Sequence, residues 1–523
     1  MTGIRPNRSR AAVVGAGIGG LVSAVELARR GLEVHIFERS SDVGGKMRRV
    51  RVGDAEIDAG PTVFTMRWIL EQVFADAGRA LDDRLEFDEV SCIARHTWAG
   101  DGVFDLYTDR ERSAESIRAF FGPREAKGYR RFCDYTETIF KEVKEPFLLA
   151  QRPGMMDLMA AQGLRALKAA TRIDPFRTMM TALGDYFKDP RLLQLFGRYA
   201  TYSGSSPFHA PATLSLIAHV EREGVWVVRG GMHRLAQELA NLAAELGAQF
   251  HFERPVSRIM SDGRKATGVE LADGERFETQ TVVANLEARA LMDGLLGDAV
   301  SGRRAVEDKT GPSQSAVTWN LLAETDGFPL AHHAVFFSGD YPQEFRDIEA
   351  GQLPAEPTVY ICAQDRDDLG LRPVNGRERM LILVNAPAWG ERDATEELDQ
   401  CQERTFRFLE KCGLRIAKSP ELTVRTSPSD FARAFPGSQG SLYGGASHGW
   451  KAFFNRPAAR TKVPGLYLTG ASAHPGAGVP MVALSGRLAA QAAAEDLDLT
   501  STSRPTATPG GMSMRSRSAA GTA

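Results

Sequence analysis

The sequence predicts an α/β protein with three parts: a Rossmann-type dinucleotide-binding domain, a mixed-sheet domain and a helical region. Three observations lead there. A strand, turn, helix and strand carrying G-x-G-x-x-G occupy residues 11–38. Four strand-like runs, "SAVTWNLLAE", "HHAVFFSG", "TVYICAQ" and "MLILVNAP", follow one another between residues 313 and 387. A second glycine-rich stretch, "GASAHPGAGVPM" (Gly470–Met481), comes late in the chain.

The first motif reads element by element. Ala11–Val14 is a short apolar strand, and Leu21, Val25 and Ala28 recur at helical spacing. Gly31 is placed to end that helix, and Val34, Ile36 and Phe37 form a second strand ending on Glu38. Gly15 permits a sharp turn, Gly17 lets the backbone approach a pyrophosphate, and Gly20 lets helix and strand pack closely. The helix N-terminus favours negative charge. Glu38 falls where a carboxylate accepts hydrogen bonds from a ribose.

Length and composition set the frame. At 523 residues the chain is long enough for two or three domains. It is 43% hydrophobic and 25% charged, which is ordinary for a folded protein. A net charge of −2 gives no whole-protein argument for nucleic acid binding. Cys92, Cys133, Cys362, Cys401 and Cys412 are scattered without C-x-x-C, so neither a disulfide framework nor a zinc site is expected. Arg5, Arg8 and Arg10 before "AAVVGAGIGGLVSAV" imitate a signal peptide, but the glycines and Glu26 fit the nucleotide motif better. No run offers the ~20 apolar residues that span a bilayer, so the reading is a protein that is soluble or lies on a membrane.

Residues 76–224 read as largely helical. Phe132, Tyr135, Ile139 and Val143 mark a core-facing stripe. The following stretch is rich in methionine (Met155, Met156, Met159, Met179, Met180) and basic (Arg152, Arg165, Lys168, Arg172, Arg177). That combination suits an anionic lipid surface, and equally a solvated helix pair over a core. Beyond it, "GVWVV", a helix over Met232–Leu246 and a strand near Phe250 are expected. Three β-strands with turns at Asp262-Gly263 and Asp273-Gly274 come next, and Thr281–Ala284 returns as a buried strand.

Three segments resemble one family: Val13–Pro61 with its second glycine pair in "RSSDVGGKM", "VWVVRGGMHRLAQELA" at Val225–Ala240, and "GLYLTGASAHPGAGVPMVALSGR". Together they resemble the bacterial carotenoid (phytoene) desaturases, within the amine oxidase/phytoene desaturase superfamily of flavoproteins. "GGMHRLA" and "HPGAGVPMVALSG" look more like the 1-hydroxycarotenoid 3,4-desaturases (methoxyneurosporene dehydrogenases) than phytoene desaturases proper.

The resemblance implies noncovalent FAD, a C40 carotenoid substrate, and a peripheral position on the cytoplasmic side of a membrane. Oxygen or a quinone would be the electron acceptor. It implies FAD contacts from Gly15, Gly17, Ile18, Gly19, Gly20, Glu38 and Arg39, and from Gly44, Gly45, Lys46 and Met47 on the phosphate–ribityl side. Gly60, Pro61 and Thr62 would lie near the flavin ring, with further contacts from Val256, Gly470, Ala471, Gly478, Val479 and Pro480. The implied FAD-binding domain is discontinuous: 1–75, 225–300 and 455–497. Residues 301–454 form the substrate domain and 498–523 a disordered tail.

No catalytic residue stands out. His474 sits in the late loop and is a candidate proton acceptor; a structural histidine bonded to backbone fits the same position. Phe336–Phe337 and Phe453–Phe454 are candidates for a polyene tunnel or for core. Rival readings on this scaffold are a phytoene desaturase, a carotenoid isomerase or saturase, a flavin amine oxidase and a non-enzymatic escort protein.

Overall fold

A computed structural model describes residues 9–151, 172–302, 305–371 and 376–498. Most of the methionine-rich basic stretch (152–171) and the tail beyond residue 498 lie outside them.

The dinucleotide domain is built on a five-stranded sheet. Its order is Leu466–Thr469, Val282–Asn285, Arg10–Val14, Glu33–Phe37, Gln249–His251, and every pairing is parallel. Parallel strands need helices on their faces to bury them. Helices Ile18–Ala28, Trp68–Asp76, His233–Glu245 and Val479–Asp496 share one apolar core with these strands, including Leu21, Val25, Phe74, Leu239 and Leu484. The helix Ile18–Ala28 is buried at every position, as its glycine, alanine and valine content allows.

Chain from three distant places therefore makes one sheet. The predicted strands at residues 250 and 281–284 take their places in it, and the turns at Asp262 and Asp273 connect a small antiparallel sheet (Val256–Ser261, Ala266–Leu271, Arg276–Glu278) beside it.

All four predicted runs after residue 313 are strands of an eight-stranded sheet: Ser315–Gly327, His333–Phe337, Val359–Ala363 and Glu378–Ala386. Its side chains alternate in their partners. Phe336, Val359, Ile361, Met380 and Ile382 pack under the helix Thr395–Lys411, around Trp319. Phe337, Tyr360, Cys362 and Leu381 face the helical region.

The segment 76–224, expected to be largely helical, also contributes strands. Cys92–Trp98 and Val103–Tyr107 complete the eight-stranded sheet, and Phe87–Glu89 pairs with Trp226–Val228. Cys92–Trp98 is buried on both faces, so it lacks the polar alternation that marks a strand in sequence. The expected stripe is present on the helix Pro123–Val143, where Phe132, Ile139 and Val143 are buried and Tyr135 half-buried.

Candidate active site

The first glycine loop adopts the geometry its spacing demands. Gly15 has φ +94°, and an added Cβ would lie 2.8 Å from the Asn285 carbonyl oxygen. A Cβ on Gly20 would lie 2.1 Å from the Gly15 oxygen, so only glycine permits this strand–helix contact. Gly17 begins the helix, with Ile18 and Gly19 in its first turn.

The second glycine pair folds against the first. Gly44 bridges to Gly17, and Gly45 packs on the Gly17 backbone. Gly60 presses on the Lys46 carbonyl, where a Cβ would come within 2.1 Å. Met47 is buried beneath this junction.

The late loop completes the cluster. A Cβ on Gly19 would meet Thr469 Oγ1 at 2.5 Å, so the two glycine loops touch although some 450 residues separate them. Ser485 receives the Gly470 N–H at 3.0 Å, and the Ala471 oxygen accepts from Arg456 at 2.7 Å. Gly478 starts the C-terminal helix at φ +104°, followed by Val479 and Pro480, and its Cβ position opens onto empty space.

These residues suit a flavin dinucleotide. The helices that start after Gly17 and Gly478 both lack a side-chain cap and an acidic residue in the first turn. Each leaves orphan backbone N–H groups and a positive dipole end for a ligand. Glu38 is buried; its oxygens accept the N–H groups of Ala16 (2.7 Å) and Ser40 (2.9 Å), which fixes the carboxylate at the strand end. Arg39 is exposed beside it. Val256 opens its strand two residues after Arg254, whose N–H reaches the Glu38 carbonyl at 2.9 Å.

Lys46 donates to Glu287 (2.7 Å) and to the Leu442 carbonyl (3.0 Å), tying the loop to the substrate domain.

Next to the flavin loops lies a mainly apolar cavity of about 470 Å³. The sheet face supplies Tyr360, Leu381 and Leu383; the helical region supplies Val143, Phe147, Leu214 and Ile217. Gly60, Pro61, Thr62, Gly478, Val479 and Pro480 close one end. At another part of the wall stand Phe176 and Trp450, 71% and 39% exposed, with ring centroids 5.8 Å apart. They form an exposed aromatic pair on the cavity wall. Phe454 lines the cavity, whereas Phe336 and Phe337 are core residues; the side chain of Phe453 lies outside the described atoms.

His474 takes the structural role. Its Nε2 is 3.0 Å from the Phe147 carbonyl, its ring meets Phe147 edge-on, and it is absent from the cavity wall. Burial lowers its pKa to about 4, so the ring is neutral and donates to that carbonyl.

Several residues at the site carry no motif. Asn285 sits where Gly15, Gly17, Gly19 and Gly20 converge. Arg456 is buried with no carboxylate at ion-pair distance among the described residues; it donates to the Ala471 and Gly445 carbonyls (2.7 and 2.6 Å) and pins the late loop to the segment around residue 445. Burial lowers its pKa. Asp58 accepts the Met232 N–H at 2.6 Å and so holds the start of the helix His233–Glu245, which explains why "EIDAG" and "RGGMH" occur in one chain. Only the strand-end position of Asn285 could have pointed to it.

Fold and site together define a flavin-dependent oxidoreductase. The family pattern described as flavin containing amine oxidoreductase matches residues 18–494, and the chain belongs to that family. FAD is its cofactor, which the two glycine loops and Glu38 would hold. The chain is 45% identical over 518 residues to hydroxyneurosporene desaturase of Rubrivivax gelatinosus, covering 98% of each chain. It is 44% identical over 486 residues to the enzyme of that name from Cereibacter sphaeroides, covering 93% of this chain and 97% of the other. Among solved structures, cyclohexylamine oxidase from Brevibacterium oxydans IH-35A shares the fold at TM-score 0.56 and 15% identity, with 94% of this chain and all (100%) of that one covered.

Proposed function

We propose that the protein is an FAD-dependent carotenoid desaturase that introduces the C-3,4 double bond into acyclic 1-hydroxy- or 1-methoxy-carotenoids. The observation that carries this reading is the cavity: a mainly apolar chamber that starts at the flavin loops and carries a pair of exposed, touching aromatic rings on its wall. Such a chamber suits a long hydrocarbon rather than a small polar substrate. The near full-length likeness to hydroxyneurosporene desaturases supports the substrate class.

Bound FAD supplies a two-electron acceptor for a hydride from one of the two carbons. The protein's part is binding and positioning. Leu381, Leu383 and Tyr360 give the polyene a flat bed on the sheet, and the residues of the helical region cover it and exclude water. The positive end of the C-terminal helix favours the negative charge that arises on the flavin side. The polyene delocalises the cation left behind, and loss of a neighbouring proton completes the double bond. Among the described residues no cysteine lines the cavity, which favours noncovalent FAD.

The exposed Phe176 and Trp450 support docking at the cytoplasmic surface of a membrane, from which the substrate enters and where oxygen or a quinone takes the electrons. No helix among the described residues is long and apolar enough to cross a membrane.

The test is expression with phytoene, neurosporene and 1-hydroxyneurosporene supplied separately, followed by pigment separation. A red-shifted product from the hydroxylated substrate is expected. Conversion of phytoene alone overturns the 3,4-assignment; peroxide release from amines with no carotenoid turnover overturns the whole reading.

A further inference from the structure

We propose that Arg198 and Glu221 form a subsite that receives the hydroxyl at the end of the carotenoid and sets the preference for hydroxylated over hydrocarbon substrates. This rests on the desaturase reading above.

The cavity wall holds four ionisable side chains among its apolar residues: Glu142, Arg198, Glu221 and Arg456. Two already have partners. Glu142 pairs with exposed Arg172, and Arg456 is committed to backbone carbonyls. Arg198 lies over the rings of Tyr202 (5.6 Å) and Tyr360 (5.3 Å), with no carboxylate within ion-pair distance among the described residues. Glu221 is 1% exposed; its Oε2 accepts from Tyr199 at 2.6 Å, Tyr202 stands beside both this carboxylate and Arg198, and the Oε1 has no partner at full hydrogen-bond geometry. Leaving a buried carboxylate oxygen unpaired is costly. An alcohol answers both groups, donating to Glu221 Oε1 and accepting from Arg198.

The location fits the reaction. Arg198 stacks on Tyr360, and the Tyr360 hydroxyl is 2.6 Å from Thr62 Oγ1 in the loop at the flavin end of the cavity. In a 1-hydroxycarotenoid a single carbon separates the hydroxyl-bearing carbon from the bond being desaturated. A group that reads the hydroxyl must therefore stand close to the flavin end, as Arg198 does. Discrimination follows by rejection: a hydrocarbon end leaves Glu221 Oε1 without a donor and Arg198 without an acceptor from the substrate. A methoxy end satisfies Arg198 but has no proton for Glu221.

The experiment compares kcat/KM for 1-hydroxyneurosporene, its 1-methoxy counterpart and neurosporene, using the FAD-loaded full chain and the variants Arg198→Met and Glu221→Gln. The unmutated enzyme should rank them hydroxy, methoxy, hydrocarbon. Arg198→Met should cut the preference for hydroxy over hydrocarbon by about 10- to 100-fold. Glu221→Gln should lower turnover of the hydroxy substrate while leaving the methoxy one nearly unchanged. Flavin absorbance and thermal midpoint check that each variant is folded. Equal turnover of the three substrates by the unmutated enzyme overturns the subsite, whatever the variants do. So does an equal loss on all three in folded variants. No turnover of any carotenoid by the unmutated enzyme overturns the desaturase reading itself, and the subsite with it.

Discussion

At the scale of single residues, His474 shows how burial decides a role. Its pKa falls from 6.5 to about 4, because burial disfavours the charged ring. The unfolded chain binds a proton near pH 6.5 and the folded one does not until about pH 4. The stability this neutral ring contributes is therefore complete above pH 6.5 and is lost as pH falls toward 4, by about 3 kcal/mol at about 1.4 kcal/mol per pKa unit. His474→Gln should flatten that acid slope in denaturant titrations from pH 7 to 4. It should also keep turnover within a few-fold at pH 7, since Gln can still donate to Phe147.

Gly20→Ala should behave differently. Its Cβ would sit 2.1 Å from the Gly15 oxygen, and that contact is backbone, so nothing cheap can move. The expected result is protein purified without flavin absorbance.

These two positions also show what a sequence discloses. Gly15, Gly17 and Gly20 are legible because a backbone constraint selects one residue type at fixed spacing. Arg198, Tyr360 and Glu221 come from a helical turn, a strand and a separate helix, and nothing local marks them. Their chemistry arises only from the burial they share.

At the scale of elements, the contact between Ile18–Ala28 and the C-terminal helix is decisive. Gly486 faces Gly19, where an added Cβ would come within 2.4 Å of the Gly19 oxygen, and Ser23 donates to the carbonyls of Gly19 and Gly486 (2.8 and 2.9 Å). Gly486→Leu should push the helices apart and lower FAD occupancy sharply, read as the ratio of flavin to protein absorbance. Asp58→Ala should remove the acceptor for the N–H of Met232, which precedes the helix His233–Glu245. A loss of about 1–3 kcal/mol in denaturant midpoint is expected, without change in substrate preference. The strand Cys92–Trp98 was hidden at this scale because it buries His96 and Thr97 and half-buries Arg95 beside Asp105, so its polar residues run consecutively and do not alternate toward solvent.

At the scale of the whole molecule, the exposed ring pair on the cavity wall is the ground on which membrane-surface docking is proposed. Phe176 and Trp450 are large, apolar and exposed, and they come from the helical region and the end of the substrate domain respectively. The double variant Phe176→Asp/Trp450→Asp should lose flotation with anionic lipid vesicles. It should retain FAD and its folded midpoint, because neither ring supports the core. Retained flotation would place the contact elsewhere.

The parallel sheet carries a consequence for biosynthesis. The strand Leu466–Thr469 lies beside Val282–Asn285, which lies beside Arg10–Val14. At roughly 5–20 residues per second, Leu466–Thr469 leaves the ribosome about 20 to 90 seconds after Arg10–Val14. For that interval the nascent chain holds the pyrophosphate loop but not the flavin-ring loop. A yellow protein is therefore one whose translation has passed the late loop. A ribosome that stops short of it should release a colourless chain, exposed to the proteases of its compartment.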